Sequence, residues 1–340
     1  MTTAAVVGCG DVSVVHLEAI AKLDGVELIA VCDTEPGRAE AASQRYGVPA
    51  FGDHRDLLDR VHPDVVHVST PHHQHAQPAI DCLDAGASVL VEKPVAHTVE
   101  EADRLIAAAG RHPELKAGVC LQNRYNATAR AARALLGGAP GPDRTDEAGG
   151  PGELGAVRGG SATVLWHRDS AYYQSRPWRG RRRESGGGVL INQAIHTLDL
   201  MQWLIGDVVE ISGHVGRYAL DGVDVEDTAQ VVFGHAGGAR SIVFATVANV
   251  VDSPVTIEIV TDRAVLVIRG DLTVRYADGR VDTVAERHAR TGGRSYWGAS
   301  HELLIADFYR TLHDPEPFWI GPAEGARSLR LVDQIYRLDH

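Results

Sequence analysis

A short apolar run, Ala4-Ala5-Val6-Val7, breaks into Gly8-Cys9-Gly10-Asp11-Val12-Ser13, and an amphipathic stretch follows to about Leu23. A second apolar run, Val26 to Cys32, then ends in Asp33. No other feature narrows the fold so far. Strand, glycine turn, helix, strand and acid in that order describe a βαβ unit, whose parallel strands require a crossover helix. Such a turn lets the backbone approach a pyrophosphate, which then sits on the helix N-terminus. Gly8, Cys9, Gly10, Asp11 and Val12 are therefore expected to hold a dinucleotide. Asp33, ~20 residues further on, is placed to bind a ribose 2′-hydroxyl. Together with Glu35 it repels a 2′-phosphate, so the expected cofactor is NAD. The competing reading is a plain β–α turn in which Asp33 caps a helix.

The alternation continues with helices over about 36–46 and 53–61, a strand over 64–69, a helix to Ala85-Gly86 and a strand over 88–91. A further helix, about Thr98 to Ala109, and a strand from Leu115 to Leu121 complete a doubly wound sheet. Ligands bind beyond the carboxyl ends of such strands, which singles out two strand ends. One carries Thr70-Pro71-His72-His73-Gln74-His75. Three close histidines invite a metal reading, but no acidic or cysteine partner completes a site in sequence, so no metal is expected. Thr70, Pro71 and His75 are expected to line the cofactor crevice instead. The other end carries Glu92-Lys93-Pro94, with Glu92 and Lys93 at the crevice lip. Among 33 basic residues only Lys22, Lys93 and Lys116 are lysines. Arginine keeps its charge, whereas a lysine is able to give up or take a proton, so Lys93 is the expected catalytic cation. The plain alternative is a solvated lysine at a strand end.

Beyond a helix over about 126–136, Gly137 to Gly155 is rich in Gly, Pro and Asp and is expected to be a mobile surface loop. The expected boundary is therefore a cofactor domain over 1–122 and a substrate-binding and oligomerisation domain over 123–340. A strand is expected over 156–167. Tyr172 to Arg179 looks loop-like and offers Tyr173, Trp178 and Arg179 as a substrate wall, or as aromatics that clamp a loop. Next comes Gly186-Gly187-Gly188-Val189-Leu190-Ile191-Asn192-Gln193-Ala194-Ile195-His196-Thr197-Leu198-Asp199. At 100° per residue, Asn192, His196 and Asp199 share one stripe of an otherwise apolar helix. A lone buried histidine is usually structural, but three aligned polar groups behind a triple glycine point to a site. The remaining strands, from Val208 to Tyr276, alternate with period two and carry turn signals such as Asp278-Gly279, as a mostly antiparallel sheet does. Its open face is a candidate dimer or tetramer interface. Two helices, about 299–313 and 322–338, end the chain.

Composition excludes several classes. The net charge of −12 argues against a nucleic-acid footprint, although Arg179, Arg181, Arg182 and Arg183 form one basic run. No apolar run reaches the ~20 residues that span a bilayer, and the N-terminus lacks a signal-peptide pattern. Cys9, Cys32, Cys82 and Cys120 are scattered, as reduced thiols of a cytoplasmic protein are.

Taken together, these motifs resemble the glucose–fructose oxidoreductase / inositol dehydrogenase (Gfo/Idh/MocA) family. The matching residues are Gly8-x-Gly10 with His16, Thr70-Pro71 with His75, Ala85-Gly86 with Glu92-Lys93-Pro94, Gly186-Gly187-Gly188 with His196 and Asp199, and His301 with Asp307-Phe308. The resemblance covers nearly the whole chain. It implies an N-terminal Rossmann domain and a C-terminal α/β domain with an open mixed sheet. It also implies NAD(P)-dependent chemistry at a sugar or cyclitol carbon. On this reading a secondary hydroxyl of a sugar, aminosugar or cyclitol is oxidised, with Lys93, His196 and Asn192 catalytic and Tyr173, Trp178 and Arg179 at the substrate. The rival activities are keto-sugar reduction and a glycosidase that uses NAD in a transient oxidation; a nucleotide-dependent sensor has no need of Lys93 and His196. Two departures stand out. The family commonly has Asp four residues before the helix histidine, where this chain has Asn192, and the excursion after Gly137 is longer than the usual turn.

Overall fold

A computed structural model describes residues 1–138, 152–287 and 299–339. The chain divides into two compact units, one formed by 1–122 and 289–326 and the other by 123–288 and 327–340.

In the first unit, β1 (Thr2–Val7), β2 (Val26–Cys32), β3 (Ala50–Phe51), β4 (Val65–Val68), β5 (Ser88–Val91) and β6 (Ala117–Val119) form one sheet. Its order is β3-β2-β1-β4-β5-β6, and every pairing is parallel. This is the dinucleotide-binding order, in which direction reverses beside β1. The crossovers are α1 (Ser13–Ile20), α2 (Pro36–Tyr46), α3 (His54–Val61), α4 (Ala76–Asp84) and α5 (Val99–Arg111). Strands β4 and β5 are buried along their whole length, as strands covered on both faces must be. Sequence pattern alone does not reveal β3, because two residues carry no periodicity.

The second unit begins with α6 (Ala127–Leu135) and β7 (Val157–Leu165). After α7 (Ser170–Gln174) and α8 (Arg182–Ser185) comes α9 (Ile195–Ile205). Then follow β8 (Val208–Gly216), β9 (Thr228–His235), β10 (Arg240–Thr246), β11 (Thr256–Thr261), β12 (Ala264–Arg269), β13 (Asp271–Tyr276) and β14 (Val281–Val284). The sheet order is β14-β13-β12-β11-β7-β10-β9-β8, with β7–β10 its one parallel pair. The sheet is therefore mixed and mostly antiparallel. Of the expected mobile loop at 137–155, residues 139–151 lie outside the described residues.

The segment that holds α10 (Ala299–Arg310) groups with the first unit, whereas the sequence reading placed all of 123–340 in one domain. Its side chains account for the return. Phe308 and Phe318 pack edge to face, and the Val119 N–H of β6 donates to the Ile320 carbonyl at 2.8 Å. The edge strand is thereby covered. Residues of α11 (Pro322–Tyr336) beyond Ala326 belong to the second unit.

Candidate functional site

The glycine turn of the first unit is tightly built on one side and open on the other. Gly8 has φ +93°, and a Cβ there would stand 2.6 Å from the Ser69 carbonyl carbon, so only glycine fits where β1 passes the end of β4. A Cβ at Gly10 would meet nothing within 4 Å, which leaves that backbone approachable. Asp33, 8% exposed, accepts from the Cys9 N–H and the Glu35 N–H, both at 2.8 Å. One bond to each oxygen leaves lone pairs for a ribose hydroxyl. Asp11 and Val12, half-buried, lead into α1. An open turn before a helix N-terminus, with a carboxylate held beside it, fits NAD.

At the end of β4, His75 is buried, contrary to the expectation of a ligand-facing side chain. Its Nδ1 lies 2.6 Å from the Pro94 carbonyl oxygen and its Nε2 2.8 Å from that of Thr70. The ring thus ties the loop after β4 to the loop after β5. Burial lowers its pKa, against the pull of the two carbonyls. Thr70 donates its hydroxyl to the Gln74 carbonyl, and Pro71 precedes a single turn over His72–Gln74.

Glu92 also departs from the expectation of a cofactor contact. Its carboxylate is 4% exposed and turned inward. Oε1 lies 3.0 Å from His16 Nε2 and 3.2 Å from His301 Nε2, and Oε2 accepts from the Lys93 N–H at 3.1 Å. Behind this, His16 Nδ1 lies 2.8 Å from His67 Nδ1, and His67 Nε2 lies 2.9 Å from the Tyr309 hydroxyl. Burial pushes the Glu92 carboxyl up, but the hydrogen bonds from His16 and His301 outweigh it and hold it well below the usual range. Lys93, half-buried, follows at once, and the Lys93–Pro94 peptide is cis. His16, Glu92 and the buried Cys120 place three donor atoms within 4.8 Å of one another, a set able to ligate a metal. Burial and the adjacent carboxylate push the Cys120 thiol well up, which favours a protonated, hydrogen-bonded cluster.

In the second unit packing explains two of the three consecutive glycines, and Gly186, at φ +83°, ends α8 in the left-handed region. A Cβ at Gly187 would collide with the Tyr336 hydroxyl, and one at Gly188 with the Glu226 backbone. Glu226 accepts from the Gly188 N–H at 2.8 Å, the Leu190 N–H at 3.0 Å and the Tyr336 hydroxyl at 2.8 Å. One buried carboxylate thus gathers the loop, the start of the helix and α11. Burial pushes its pKa up, and these donors only partly oppose it.

The helix itself corrects the sequence reading. Leu190–Ala194 form a π turn before α9, so the residues there do not advance at a steady 100°. Asn192 and His196 are half-buried, and the Asn192 side-chain amide donates to the Gly187 carbonyl at 3.2 Å. Asp199 is fully engaged elsewhere. It pairs in bidentate fashion with the buried Arg124, through Nε at 2.8 Å and Nη2 at 2.6 Å, and serves the core.

The expected aromatic wall divides. Asp169 caps the five-residue α7, accepting from the Tyr172 N–H at 3.0 Å, in a helix too short to show periodicity. Tyr173, 6% exposed, packs with Val223 and Val225, so it clamps the loop. Trp178 and Arg179 are half-buried, with the Arg179 guanidinium over the Tyr172 ring at 4.5 Å and the Trp178 ring at 5.6 Å. Sequence reasoning missed Glu226, His67, Tyr309 and Arg124 altogether. His16 and His301 were visible only as family markers.

Comparison with known proteins extends these observations. Residues 2–118 match a family model described as an oxidoreductase family with an NAD-binding Rossmann fold. Residues 147–267 match the model of a GFO/IDH/MocA C-terminal domain. D-apiose dehydrogenase of Paraburkholderia graminis is 28% identical over 256 residues, which cover 72% of this chain and 60% of that protein. Inositol 2-dehydrogenase of Salmonella typhimurium is 33% identical over 126 residues, covering 36% of this chain and 38% of that protein. The chain therefore spans less than two thirds of the length of both relatives. The WlbA dehydrogenase of Bordetella pertussis, solved with NADH and UDP-GlcNAcA, superposes with a TM-score of 0.82 at 27% identity over 99% of this chain and 96% of that one.

Proposed function

The chain belongs to the Gfo/Idh/MocA oxidoreductase family, and on that premise we propose that it is an NAD-dependent dehydrogenase. Its substrate on this reading is a sugar, aminosugar or cyclitol whose secondary hydroxyl becomes a ketone. The observation that carries the reading is the glycine turn, open at Gly10 and flanked by the pinned Asp33 carboxylate. When bound, NAD⁺ supplies the acceptor for the hydride that leaves the carbinol carbon. The residues of the chain do the rest. Asp33 takes the ribose hydroxyl and repels a 2′-phosphate. His196 accepts the hydroxyl proton, a task suited to imidazole near neutral pH. Lys93 hydrogen-bonds the reacting oxygen and stabilises its developing negative charge. Asn192 orients the sugar, and Trp178 and Arg179 border it. Four unpaired thiols support a cytoplasmic setting. Exposed Ile242 and Phe244 on one face of the second sheet support assembly into a homodimer or homotetramer.

The test is NADH formation across a panel of free, amino- and nucleotide-linked sugars and cyclitols. At least one substrate should turn over, and Lys93→Ala should lower that rate by about 10²–10⁴-fold while NAD⁺ affinity survives. Lys93→Arg should not rescue it. Near-normal turnover of the Arg variant would reduce Lys93 to a structural charge.

A further inference from the structure

We infer that Tyr309, His67, His16 and His301 form a one-way array of hydrogen-bond donors that holds Glu92 as an anion and so positions Lys93. The inference deepens the proposed function and rests on Lys93 acting at the substrate. Its direction follows from one group. An ionised carboxylate only accepts, so the His16 Nε2 at 3.0 Å and the His301 Nε2 at 3.2 Å must both carry protons. A neutral His16 then offers a lone pair at Nδ1. His67 must therefore donate through its own Nδ1 across 2.8 Å. That leaves a lone pair at His67 Nε2, which accepts from the Tyr309 hydroxyl at 2.9 Å. Reversing His67 would demand a cationic His16. It would also deprive the Tyr309 hydroxyl of the one acceptor it has among the described residues. Each tautomer in the chain is thus set by the charge on Glu92.

The surroundings keep that charge fixed. His16, His67, Glu92 and His301 are all buried, and the groups facing the carboxylate are His16 on α1, His301 on α10, the Lys93 N–H and Cys120. One step out stand His67 on β4 and Tyr309 on α10. Burial keeps His67 well below the ordinary imidazole range, so it stays neutral. Among these donors the Lys93 N–H is the only one that belongs to the proposed catalytic residue. A carboxylate locked by three other partners fixes the backbone from which the lysine side chain extends.

Isotope-labelled histidines in the full chain read this directly. Ring-nitrogen spectra between about pH 5.5 and 8.5 bracket the unperturbed imidazole pKa. His16 should show a protonated Nε2 and a bare Nδ1, and His67 the reverse without titrating. Titration of His67 in that window, a proton on His67 Nε2 or on His16 Nδ1, or a stoichiometric metal bound to the purified protein would overturn the array. Glu92→Gln should then lower kcat by about 10²-fold with KM and NAD⁺ affinity unchanged. A Gln variant that folds with normal kcat would deny the positioning role. The two readings fail separately. If no sugar is oxidised but the tautomers are as stated, the proposed function fails. If Lys93→Ala is inactive but the tautomers are reversed, only the array fails.

Discussion

Glu92 in the first unit and Glu226 in the second are buried to nearly the same degree, 4% and 6% exposed, yet they behave as opposite acids. Burial pushes both carboxyls up. Glu92 faces two imidazole N–H groups and ends well below the usual range, whereas Glu226 faces two backbone amides and a phenol and ends above it. What decides the sign is the partner. Two imidazole N–H groups converging on one carboxylate oxygen favour the anion by hydrogen bond, while the donors around Glu226 recover only part of the lost hydration. The two sites are accordingly built for different ends. One holds a fixed charge next to Lys93, and the other shapes the backbone ahead of Asn192 and His196.

The largest effect that would break this contrast is expected from Glu92→Gln. The amide oxygen can serve both imidazole donors, but the N–H₂ then faces the Lys93 N–H that Oε2 accepts from, and the anion is lost, at a cost of about 3–5 kcal/mol by urea denaturation at neutral pH. The pH dependence has a definite sign. The folded pKa of Glu92 is depressed, so its contribution is full above the unfolded value and is lost as pH falls through the folded one. The gap between wild type and variant should therefore be widest at neutral pH and narrow only below about pH 4.3, the unfolded carboxyl value. A gap under about 1 kcal/mol at pH 7 would mean that the imidazoles hold no anion.

Glu226→Gln should cost less, about 1–3 kcal/mol, because only neutral donors lose their acceptor. Its gap should move the other way. The folded pKa of Glu226 is raised, so its contribution is full below the unfolded value and is lost as pH rises through the folded one. The variant should lag most near pH 4 and recover towards wild type as pH increases above the unfolded carboxyl value of about 4.3. Parallel trends for the two variants would dissolve the comparison.

How much of this was legible in the sequence follows from the reach of each interaction. The first unit reads well because its signals are local: Gly8 to Asp33 lie within one βαβ unit, and the buried runs of β4 and β5 are continuous. The glycine turn and the Asp33 that accepts from its Cys9 N–H are thus legible at once. Glu92 was found but misread, since its partner His301 lies 209 residues away. Asp199 looked like a member of a polar stripe because Arg124, 75 residues distant, leaves no trace in a helical pattern. Glu226 gave no signal at all. Its partners lie 38 residues before it and 110 after it, and a glutamate in a strand-rich stretch is most simply read as exposed. The π turn at Leu190–Ala194 was invisible for a further reason, since periodicity arguments assume the regular turn it replaces.

The smallest effect sharpens the contrast through a pair of tyrosines. Tyr336 donates directly to Glu226, whereas Tyr309 reaches Glu92 only through two imidazoles. Tyr336→Phe and Tyr309→Phe each remove one hydroxyl, at about 0.5–1.5 kcal/mol. The Tyr336 bond is one of the causes that lower the Glu226 pKa, so its loss penalises the carboxylate and not the acid. The cost of Tyr336→Phe should therefore grow as pH rises through the folded pKa of Glu226. A hydroxyl that donates to a neutral imidazole senses no such change, and the cost of Tyr309→Phe should stay level between about pH 7 and 9, above the ordinary imidazole range. Thermal or urea stability checks the point, read for Tyr336→Phe from about pH 4.3 upwards and for Tyr309→Phe between about pH 7 and 9. Gly187→Ala should gain nothing when combined with Tyr336→Phe, since a Cβ there still stands 2.6 Å from the ring carbon that carried the hydroxyl. A rising cost for Tyr309→Phe would place a titrating group in the first unit's array, and the difference between the two carboxylates would then be one of degree.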